Sequence, residues 1–463
     1  MTSVARIALV MAMTASPTVA AAQPPAPPLT LDAAIQYAID HYPTVRVAIE
    51  QVTASTADVT VARSTYLPRL DAVWQTNRGT ANNIFGQLLP QSVIPSMSGP
   101  VLPSASSSSV WGSAVGGLAS WQPFDFGLRH AGVVSAEAAV ARARAGETLT
   151  RLDVASAVGA AYLDVLAAQR AVTSAQADLD RREVLRRTVR TLVDNQLRPG
   201  AEASRADAER AAAQTRLIRA QQGVAVAHAI LMRLMGVTGA AMPVSDDALF
   251  AKMPEGGAGT APASAHPLAQ VQQAAIDQAR AQEDVLARTD DPRVYLQSSL
   301  FARGSGANPN GLFGEGADGL GLERANWAAG VQVVLPNVFD FSTLRARKAA
   351  ASASTRAASA RYDEALLAVT GQQQTAAALL EAAHAVAANT PIELAAAQQT
   401  EAQARARYSA GLANIIEVAD AQSLLAQAEV EDQLARVDVW RALLASSAAQ
   451  GDLTPFLARV RQP

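Results

Sequence analysis

Hydrophobic residues recur at steps of three and four positions along two stretches of the chain, the spacing of one helix face. The first series runs from Val158 to Leu179 and the second from Ala213 to Leu234. Alanine alternates with larger residues, so paired helices can approach closely along a coiled-coil seam. No proline interrupts Gly127 to Leu197, and about 70 helical residues at 1.5 Å each make a rod about 100 Å long. The pattern predicts long paired helices rather than a globular core.

A different pattern, alternation of apolar and polar residues, occurs in four shorter segments that we interpret as β-strands. They hold four of the five tryptophans, and they read LPRLDAVWQTNR, VWGSAVGGLASWQPF, DPRVYLQSSLFAR and NWAAGVQVVLP. Each pair of segments encloses a long stretch rich in Gly, Ser, Pro and Asn, at 79–109 in the first pair and at 304–324 in the second. Each half of the chain therefore reads helix, strand, loop, strand, long helix, turn, helix.

A repeated motif indicates that the two halves arose by duplication. WQPFDFGLRHA around Phe124 returns as VFDFSTLRA around Phe339, 215 positions later. Gly200 follows Phe124 by 76 positions and Gly411 follows Phe339 by 72, so the copies are expected to differ by small insertions. A period of this length is too long for a solenoid repeat. In each copy the FDF motif ends a strand, and its aspartate is placed to cap the helix that follows.

Composition narrows the class of protein. The net charge is only −3, so nothing indicates a nucleic-acid partner, and cysteine is absent. The five histidines are far apart, and no H-E-x-x-H, Walker or dinucleotide motif occurs, so we predict no metal site, no cofactor and no enzyme activity. Residues 1–22 have a basic start, an apolar run and small residues at their end, which predicts a secretory signal peptide. Beyond them we find no apolar run of the length that a membrane-spanning helix needs.

The alternating segments allow two interpretations. In an exported chain, aromatic-rich strands of about ten residues are typical of an outer-membrane β-barrel. Hydrocarbon tolerates no open sheet edge, so four strands per chain would have to close with copies of themselves. Eight strands from a dimer would leave an interior filled by side chains, whereas twelve strands from a trimer would leave a pore. The alternative is a soluble periplasmic or surface coiled-coil protein with a structural or adhesive role, whose strands form an ordinary sheet with one buried face.

Four stretches give the chain a resemblance to the TolC-like outer-membrane factor family, the outer membrane efflux proteins. They are LTLDAAIQYAIDHYP, LPRL, QPFDFG and, above all, ARYSAGLANIIEVADAQSLLAQAE at residues 406–429. The resemblance covers nearly all of the chain after the predicted signal peptide. It implies an α+β membrane protein, a homotrimer whose twelve-stranded β-barrel takes four strands from each protomer and is continued by a long α-helical coiled-coil tunnel.

The resemblance also implies a location and partners. Proteins of this family lie in the outer membrane of Gram-negative bacteria, in contact with outer-membrane lipid, and their helices project into the periplasm. They are passive exit ducts of tripartite efflux or secretion systems. A periplasmic adaptor, the membrane fusion protein, joins them to an inner-membrane pump or ABC transporter.

By the same resemblance, Glu417 and Asp420 match an acidic pair that lines the narrow periplasmic entrance in the family. The two residues are three positions apart and share a helix face, so three copies would form a ring of six carboxylates that attracts cations. The alternative is a solvated helix face with two ordinary carboxylates. Tyr408 is a candidate for a bridge to the neighbouring helix pair at this gate, and the alternative is a tyrosine packed in the helical core. Ala413 stands where some relatives carry an arginine that helps lock the gate. The first tip, NQLRPGAEASRADAER, is expected to lack an acidic residue early enough to take part.

The two tight turns at the far ends of the rods are the predicted docking sites for the adaptor. They contain Pro199 and Gly200 in the first half and Gly411 and Leu412 in the second. Gly200 and Gly411 are expected to supply the left-handed backbone conformation that ends a helix. At the opposite end, five aromatic residues are predicted at the membrane interface, namely Trp74, Trp121, Phe124, Trp327 and Phe339.

These interpretations divide the chain into nine segments. The signal peptide covers 1–22, an N-terminal linker with the first periplasmic helices 23–66, the first strand pair with its extracellular loop 67–124, the first long helical hairpin 125–236, an equatorial linker 237–266, a helix that opens the second repeat 267–291, the second strand pair 292–338, the second long hairpin 339–449 and a C-terminal tail 450–463.

Overall fold

The computed structural model describes residues 28–80, 109–238, 242–244, 249, 254, 257, 259–306, 316–336 and 341–461. Within these ranges the chain forms two long helical hairpins and one small sheet, in the element order α1 Leu31–His41, α2 Pro43–Ser64, β1 Arg69–Thr80, β2 Ser109–Phe124, α3 Leu128–Asp194, α4 Gly200–Met235, a 3₁₀ turn Ala263–Ala265, α5 Pro267–Ala287, β3 Arg293–Ser305, β4 Arg324–Val334, α6 Phe341–Ser409, α7 Ile415–Gln450 and α8 Thr454–Arg461. The predicted signal peptide, Phe339 and much of the predicted linker 237–266 lie outside the described residues.

The long helices have the lengths that the sequence pattern predicts. α3 contains 67 residues and α6 contains 69, while their partners α4 and α7 contain 36 residues each. We call the part of each long helix that is remote from the sheet its distal part. α4 packs along the distal part of α3, and α7 packs along the distal part of α6. Shorter helices complete the proximal part: α2 and α5 both pack on α3, and α5 also packs on α6. Across the width of one chain the distal helices therefore lie in the order α4, α3, α7, α6.

The two hairpins are related by a constant offset of 215 residues. Gln196 and Gly411 end α3 and α6 in the same left-handed conformation, with φ of 59° and 77°. Gly236 and Gly451 end α4 and α7, also left-handed, with φ of 73° and 82°. Both pairs are 215 positions apart, as Phe124 and Phe339 are. The two copies therefore have the same length from the FDF motif to the end of the hairpin.

This equivalence corrects the expected role of Gly200. Gly200 is the first residue of α4 and is not left-handed, and the left-handed turn residue of the first hairpin is Gln196. The predicted left-handed conformation of Gly411 is confirmed. Gln196 follows Phe124 by 72 positions, the spacing from Phe339 to Gly411, so the small insertion expected between the copies is absent from this stretch.

At the start of α3, Asp125 holds the chain where the strand becomes a helix. Its carboxylate accepts hydrogen bonds from the backbone N–H of Gly127 and Arg129, both at 3.1 Å, and from the Arg129 guanidinium. Burial alone would raise the pKa of Asp125, but these hydrogen bonds outweigh it and hold the pKa below its ordinary value. The expected capping role of the first FDF aspartate is confirmed, while Asp340 lies outside the described residues.

The largest apolar core lies midway along the rods. There α1, the middle of α3 and the ends of α4 and α7 enclose fully buried side chains such as Leu31 and Tyr162. The predicted tail contains α8, whose Phe456 is fully buried and meets Trp440 edge-on with ring centroids 6.1 Å apart. Because α8 covers this core, residues 454–461 belong to the waist of the molecule.

One described helix, α3, passes a length and hydropathy test for a membrane span, with a mean hydropathy of 1.2 over its most apolar window. More than half of that window, 56%, is buried inside the protein. The apolar character of α3 therefore follows from its place between α4 and α7, where it is covered by other helices.

The four strands form one antiparallel sheet in the order β1, β2, β3, β4. Residues paired across the four strands form rows that run perpendicular to the strands, and all members of a row lie on the same face. One row contains Ala72, Gly117, Leu300 and Trp327. The next row, on the opposite face, contains Gly116 directly beside Phe301, where a Cβ atom on Gly116 would lie only 2.3 Å from the Cβ of Phe301. Glycine is therefore required at 116 for these strands to pair.

Candidate functional site

The two hairpin tips have the same backbone geometry. In the first, the N–H of Leu197 donates to the carbonyl of Leu192 at 2.9 Å, and in the second the N–H of Leu412 donates to the carbonyl of Arg407, also at 2.9 Å. This six-to-one hydrogen bond around a left-handed residue is the Schellman ending of a helix. Leu197 and Leu412 project from the turns and are 68% and 71% exposed. Each tip therefore presents one leucine to its surroundings.

Side chains of the two tips meet at Tyr408, which is 3% exposed. Its hydroxyl donates a hydrogen bond of 2.8 Å to the Glu202 carboxylate in the first turn of α4. The Arg198 guanidinium lies over the Tyr408 ring, 4.7 Å from its centroid, and donates to the Tyr408 backbone carbonyl at 3.3 Å. The Arg198 guanidinium and the Glu202 carboxylate are 3.8 Å apart, from Nη1 to Oε1. These three residues join the first hairpin to the second.

The environment of Tyr408 keeps its phenol neutral. Burial, followed by the hydrogen bond to the negative Glu202, raises the pKa of Tyr408 to about 12 from 10.0. An ionised phenol would lose its proton donor role and repel Glu202. The Tyr408 hydroxyl therefore keeps the proton that it donates to Glu202 throughout the physiological pH range.

Sequence reasoning identified Tyr408 but missed Arg198 and Glu202. The constant offset shows why, because Arg198 occupies the position of Ala413 in the other tip, and Glu202 occupies that of Glu417. Position 413 of the second tip thus lacks an arginine, and the equivalent position of the first tip, 198, has one. The expectation that the first tip lacks an early acidic residue is wrong, since Glu202 reaches Tyr408 from the first turn of α4. The signal that could have revealed both residues is the alignment of Gln196 with Gly411.

Glu417 and Asp420 lie at the start of α7, separately from the Tyr408 contact. Asn414 caps this helix, since its side-chain oxygen accepts hydrogen bonds from the N–H of Ile416 and Glu417 at 3.0 and 3.1 Å. Glu417 is exposed and lies 3.8 Å from Arg407. Asp420 is exposed and makes no ion pair or side-chain hydrogen bond with any described residue. Both carboxylates are therefore open to solvent on one face of the protomer.

At the opposite end of the molecule, one face of the sheet is apolar and exposed. Large side chains on this face include Leu70, Trp74, Leu300, Trp327 and Val331, all between 67% and 79% exposed. The other face carries more polar residues, including Asp71, Gln297, Asn326 and Gln332. In a soluble protein the apolar face of an antiparallel sheet is covered by the core and the polar face is in water. In this protomer the apolar face is exposed.

The predicted interface aromatics occupy two levels along the strands. Trp121 and Phe124 lie near the helical end of the sheet, where the Trp121 indole N–H donates to the carbonyl of Tyr66 at 3.0 Å. Trp74 pairs with Val115, six residues from Trp121 along β2, which corresponds to about 20 Å at 3.4 Å per residue. Trp327 lies on the same face as Trp74, in the row that contains Ala72, Gly117 and Leu300. Phe339 lies outside the described residues.

Among the described residues, no group of three or more His, Asp or Glu side chains is arranged to hold a metal ion.

Comparison with known proteins gives one family and a set of similar folds. A family model described as outer membrane efflux protein matches residues 34–237 and 263–451. The CmeC outer membrane channel of Campylobacter jejuni is similar with a TM-score of 0.76 at 14% identity, over 91% of this chain and 85% of CmeC. The outer membrane protein VceC of Vibrio cholerae has a TM-score of 0.71 at 18% identity, over 91% of this chain and 96% of VceC.

A third similar structure is the open state of the MtrE outer membrane channel of Neisseria gonorrhoeae, with a TM-score of 0.72 at 19% identity, over 91% of this chain and 89% of MtrE. A search of curated proteins gave no match to the sequence.

Proposed function

Since the chain belongs to the outer membrane efflux protein family, and is an outer membrane efflux channel, we propose that it works as a homotrimeric exit duct of a tripartite efflux or secretion system. In this role the chain moves no substrate by itself. It receives substrate from an inner-membrane pump or ABC transporter through a periplasmic adaptor and lets it pass outward.

The observation that carries the proposal is the combination of an exposed apolar sheet face with two free sheet edges. Among the described residues β1 pairs only with β2, and β4 pairs only with β3. A sheet with open edges is excluded from hydrocarbon, because unpaired backbone groups there cost several kcal/mol each. Closure with two further copies satisfies both edges and gives twelve strands, which is wide enough for a pore. The alternative of a soluble coiled-coil protein leaves Trp74, Trp327 and Leu300 uncovered.

The spacing of the aromatic residues supports a membrane position for this sheet. The two levels are about 20 Å apart along the strands, and a strand tilt of about 40° reduces this to a height of about 16 Å, so both levels fit within the apolar band about 25 Å tall and the aromatic girdles that flank it in outer-membrane barrels. Trp121 and Phe124 would then lie at the periplasmic interface. Trp74 and Trp327 would lie toward the outer interface, so the hairpin tips are at the far end of the periplasmic helices.

The tips supply a gate and a docking surface in this proposal. The Tyr408, Glu202 and Arg198 contact holds the second hairpin against the first and so favours a narrow entrance. The Glu417 and Asp420 carboxylates, repeated three times, give the entrance a negative potential that attracts cations.

The adaptor would dock on the two turns. Pro199 and Gly200 form the start of α4 beside the exposed Leu197, and Gly411 precedes the exposed Leu412. An exposed leucine on each of six equivalent turns offers a ring of apolar anchor points, and full burial of one such side chain in a pocket of the adaptor would contribute about 1.5–3 kcal/mol.

Two measurements test the proposal. First, the full-length protein should stay in the membrane fraction after a carbonate wash and have the native mass of a trimer after detergent extraction. Release by carbonate, or a monomeric mass, would contradict it. Second, planar bilayers containing the variant Glu417→Ala with Asp420→Ala should show weaker cation preference and weaker block by trivalent cations than the unmodified channel.

The control for the entrance ring is Asp363→Ala with Glu364→Ala. These two carboxylates are also exposed, but they lie on the proximal part of α6, far from the tips. The control should leave selectivity unchanged. If both double variants behaved alike, the acidic ring would have no specific role at the entrance.

A further inference from the structure

Two arginines are direct partners across neighbouring strands, near the end of the sheet that is remote from the helices. They are Arg303 of β3 and Arg324 of β4. Both lie on the polar face, because Arg303 alternates with Phe301 on that face and Arg324 is three positions from Trp327 on the apolar face. Like charges directly opposite each other destabilise an antiparallel pair. An anion held between the two guanidinium groups would remove this repulsion.

No acidic residue lies near the two arginines on the polar face of the described strands. Their row also contains Gln75 and Ala114. The adjacent rows of the same face contain only uncharged residues, namely Val73, Gly116, Phe301 and Asn326 on one side and Asn77, Gly112 and Ser305 on the other. The nearest acidic residue of this face is Asp71, four positions from Gln75, which corresponds to about 14 Å along β1. Its carboxylate already pairs with Arg69, with Oδ1 and Nε 3.0 Å apart.

The loop between β3 and β4 places Asp318 on the opposite side of the sheet. The Ser113 hydroxyl donates to the carbonyl of Gly319 at 2.9 Å, and a Cβ atom on Gly304 would lie only 2.7 Å from the same carbonyl oxygen. Ser113 and Gly304 alternate with residues of the polar face, so this part of the loop lies over the apolar face. The loop between β1 and β2, residues 81–108, contains no charged residue. The polar face therefore has a net positive charge at this end.

The two arginines have the chemistry of an oxyanion site. Arg324 is exposed and makes no ion pair with any described residue, and the same is true of Glu323, which precedes it; Glu315 lies outside the described residues. A guanidinium has five N–H donors, so a hydrogen bond to a neighbouring protein group leaves Arg303 its charge and further donors. The planar fork of arginine matches the paired oxygens of phosphate and carboxylate groups.

We infer that Arg303 and Arg324 form a binding site for a multivalent oxyanion of the phosphate type at the outer mouth of the pore. The inference rests on the proposed function, in which the polar face of the sheet lines the pore and the end remote from the helices faces outward. Three copies contribute two guanidinium groups each to one ring. The ligand is a dissolved anion and not a lipid phosphate, because lipid contacts the opposite face of the sheet.

This site gives the two ends of the duct opposite charges. The carboxylates of Glu417 and Asp420 make the periplasmic entrance negative, and the arginine ring makes the outer mouth positive. A narrow passage with walls of low dielectric constant concentrates such a field and raises the local concentration of the opposite charge. A polyanion that reaches the outer mouth is therefore held there, where it obstructs the flow of ions.

Block of the channel current tests the site. The full-length trimer is placed in bilayers of neutral phosphatidylcholine, and tripolyphosphate is added to each chamber in turn. The unmodified channel should be blocked, and Arg303→Gln with Arg324→Gln should raise the half-blocking concentration at least about tenfold. That factor is the loss expected when one charge-assisted hydrogen bond is removed.

Two further variants separate a specific site from general charge. Arg78→Gln is the matched control, since Arg78 is also near the outer end of its strand but lies on the apolar face, where its guanidinium is 5.5 Å from the centroid of the Trp111 ring. It should be blocked like the unmodified channel. Arg303→Lys with Arg324→Lys keeps the charge but loses the planar fork, so block by tripolyphosphate should weaken several-fold while ion selectivity stays the same. Equal block of the lysine variant and the unmodified channel would overturn the assignment of an oxyanion site.

Thermal unfolding of the trimer in detergent gives a second measurement. Tripolyphosphate should raise the melting temperature of the unmodified trimer, because it binds the folded state, and should leave that of the double glutamine variant unchanged. Without the anion, Arg324→Gln should melt no lower than the unmodified protein, since it removes the repulsion between like charges. A conducting trimer whose block and melting response are the same with and without the two arginines would overturn the inference and leave the proposed function standing. A monomer that forms no channels would instead overturn the proposed function, and the ring with it.

Discussion

Gln196 and Gly411 adopt the same left-handed turn at positions 215 residues apart, with φ of 59° and 77°. This relationship fixes the alignment of the two hairpins. From it follow the equivalence of Arg198 with Ala413 and that of Glu202 with Glu417. It also indicates that the turn of the first tip is less stable than that of the second, because a residue with a Cβ atom is strained in this conformation and glycine is not.

Gln196→Gly is expected to stabilise the first tip by about 1 kcal/mol, since it removes the penalty for the left-handed backbone. Gly411→Ala should destabilise the second tip by a similar amount. Hydrogen exchange of the amides in each turn measures both effects, and about 1 kcal/mol corresponds to roughly a fivefold change in local opening. Equal exchange rates in the unmodified protein and in Gln196→Gly would contradict the assigned conformation.

Tyr408→Phe is expected to widen the entrance, because it removes the hydrogen bond to Glu202 while the ring remains. A hydrogen bond to a charged group contributes about 1.5–3 kcal/mol, so its loss should shift the balance from closed to open about 10- to 100-fold. Single-channel recordings should show more frequent high-conductance states. Glu202→Gln should have a smaller effect of the same sign, and the double variant should add little to Tyr408→Phe because both remove one contact.

Alkaline pH should weaken the same contact. The folded-state pKa of Tyr408 is raised from 10.0 to about 12, so its contribution is fully present below pH 10 and is lost as the pH rises toward about 12. The difference in tyrosinate absorbance between the unmodified protein and Tyr408→Phe should reveal one phenol that ionises in this window. Glu202→Gln should move that ionisation to lower pH. A Tyr408 that ionised near pH 10 in the intact channel would contradict the buried hydrogen bond.

The strands and the long helices could be predicted from the sequence because their patterns depend only on residues that are close together in the chain. Alternation fixes which strand residues share a face, so the exposed positions of Trp74 and Trp327 follow directly from the pattern. The heptad spacing in α3 and α4 likewise gives the long hairpin. In both cases the residues of one helix or strand, together with those next to it in sequence, determine which structure forms.

The tip contact could not be predicted in this way. Tyr408 meets Glu202 across 206 positions of sequence, and nothing local to either residue indicates the other. The assignment of Gly200 to the turn failed because glycine is the usual left-handed residue, whereas this turn uses Gln196 and accepts the strain. Aligning Gly200, 76 positions after Phe124, with Gly411, 72 positions after Phe339, shifted one tip against the other by four residues, about one helical turn. With that alignment Arg198 and Glu202 did not match Ala413 and Glu417.

Arg182→Met is expected to destabilise the distal helices strongly. The Arg182 side chain is 2% exposed and joins Asp178, Glu209 and Ser423 through hydrogen bonds of 2.9, 2.7 and 3.0 Å, which links α3, α4 and α7. Removing one partner of a buried ion pair costs about 3–5 kcal/mol, and Arg216, which also binds Asp178, should limit the loss to the lower end.

The control is Arg187→Met on the same helix, whose side chain is 70% exposed and contacts Glu183. An exposed ion pair contributes about 0–1 kcal/mol. Guanidinium unfolding followed by helical circular dichroism should therefore show a large fall in the midpoint for Arg182→Met and almost none for Arg187→Met. Similar midpoints for the two variants would mean that the buried network does not hold the helices together.

Adjacent residues of β4 test the membrane position of the sheet. Val331 lies on the apolar face and is 68% exposed, while Gln332 lies on the opposite face, beside Tyr295 of β3. Val331→Arg places a charge against lipid, which costs about 2–4 kcal/mol near the bilayer midplane. Gln332→Arg adds the same charge to the face that lines the proposed pore, where water solvates it. The amount of trimer assembled in the outer membrane should fall sharply for Val331→Arg and change little for Gln332→Arg, whose channel should also become less cation-selective. The reverse order would place lipid on the polar face of the sheet, contrary to the exposed positions of Trp74, Leu300 and Trp327.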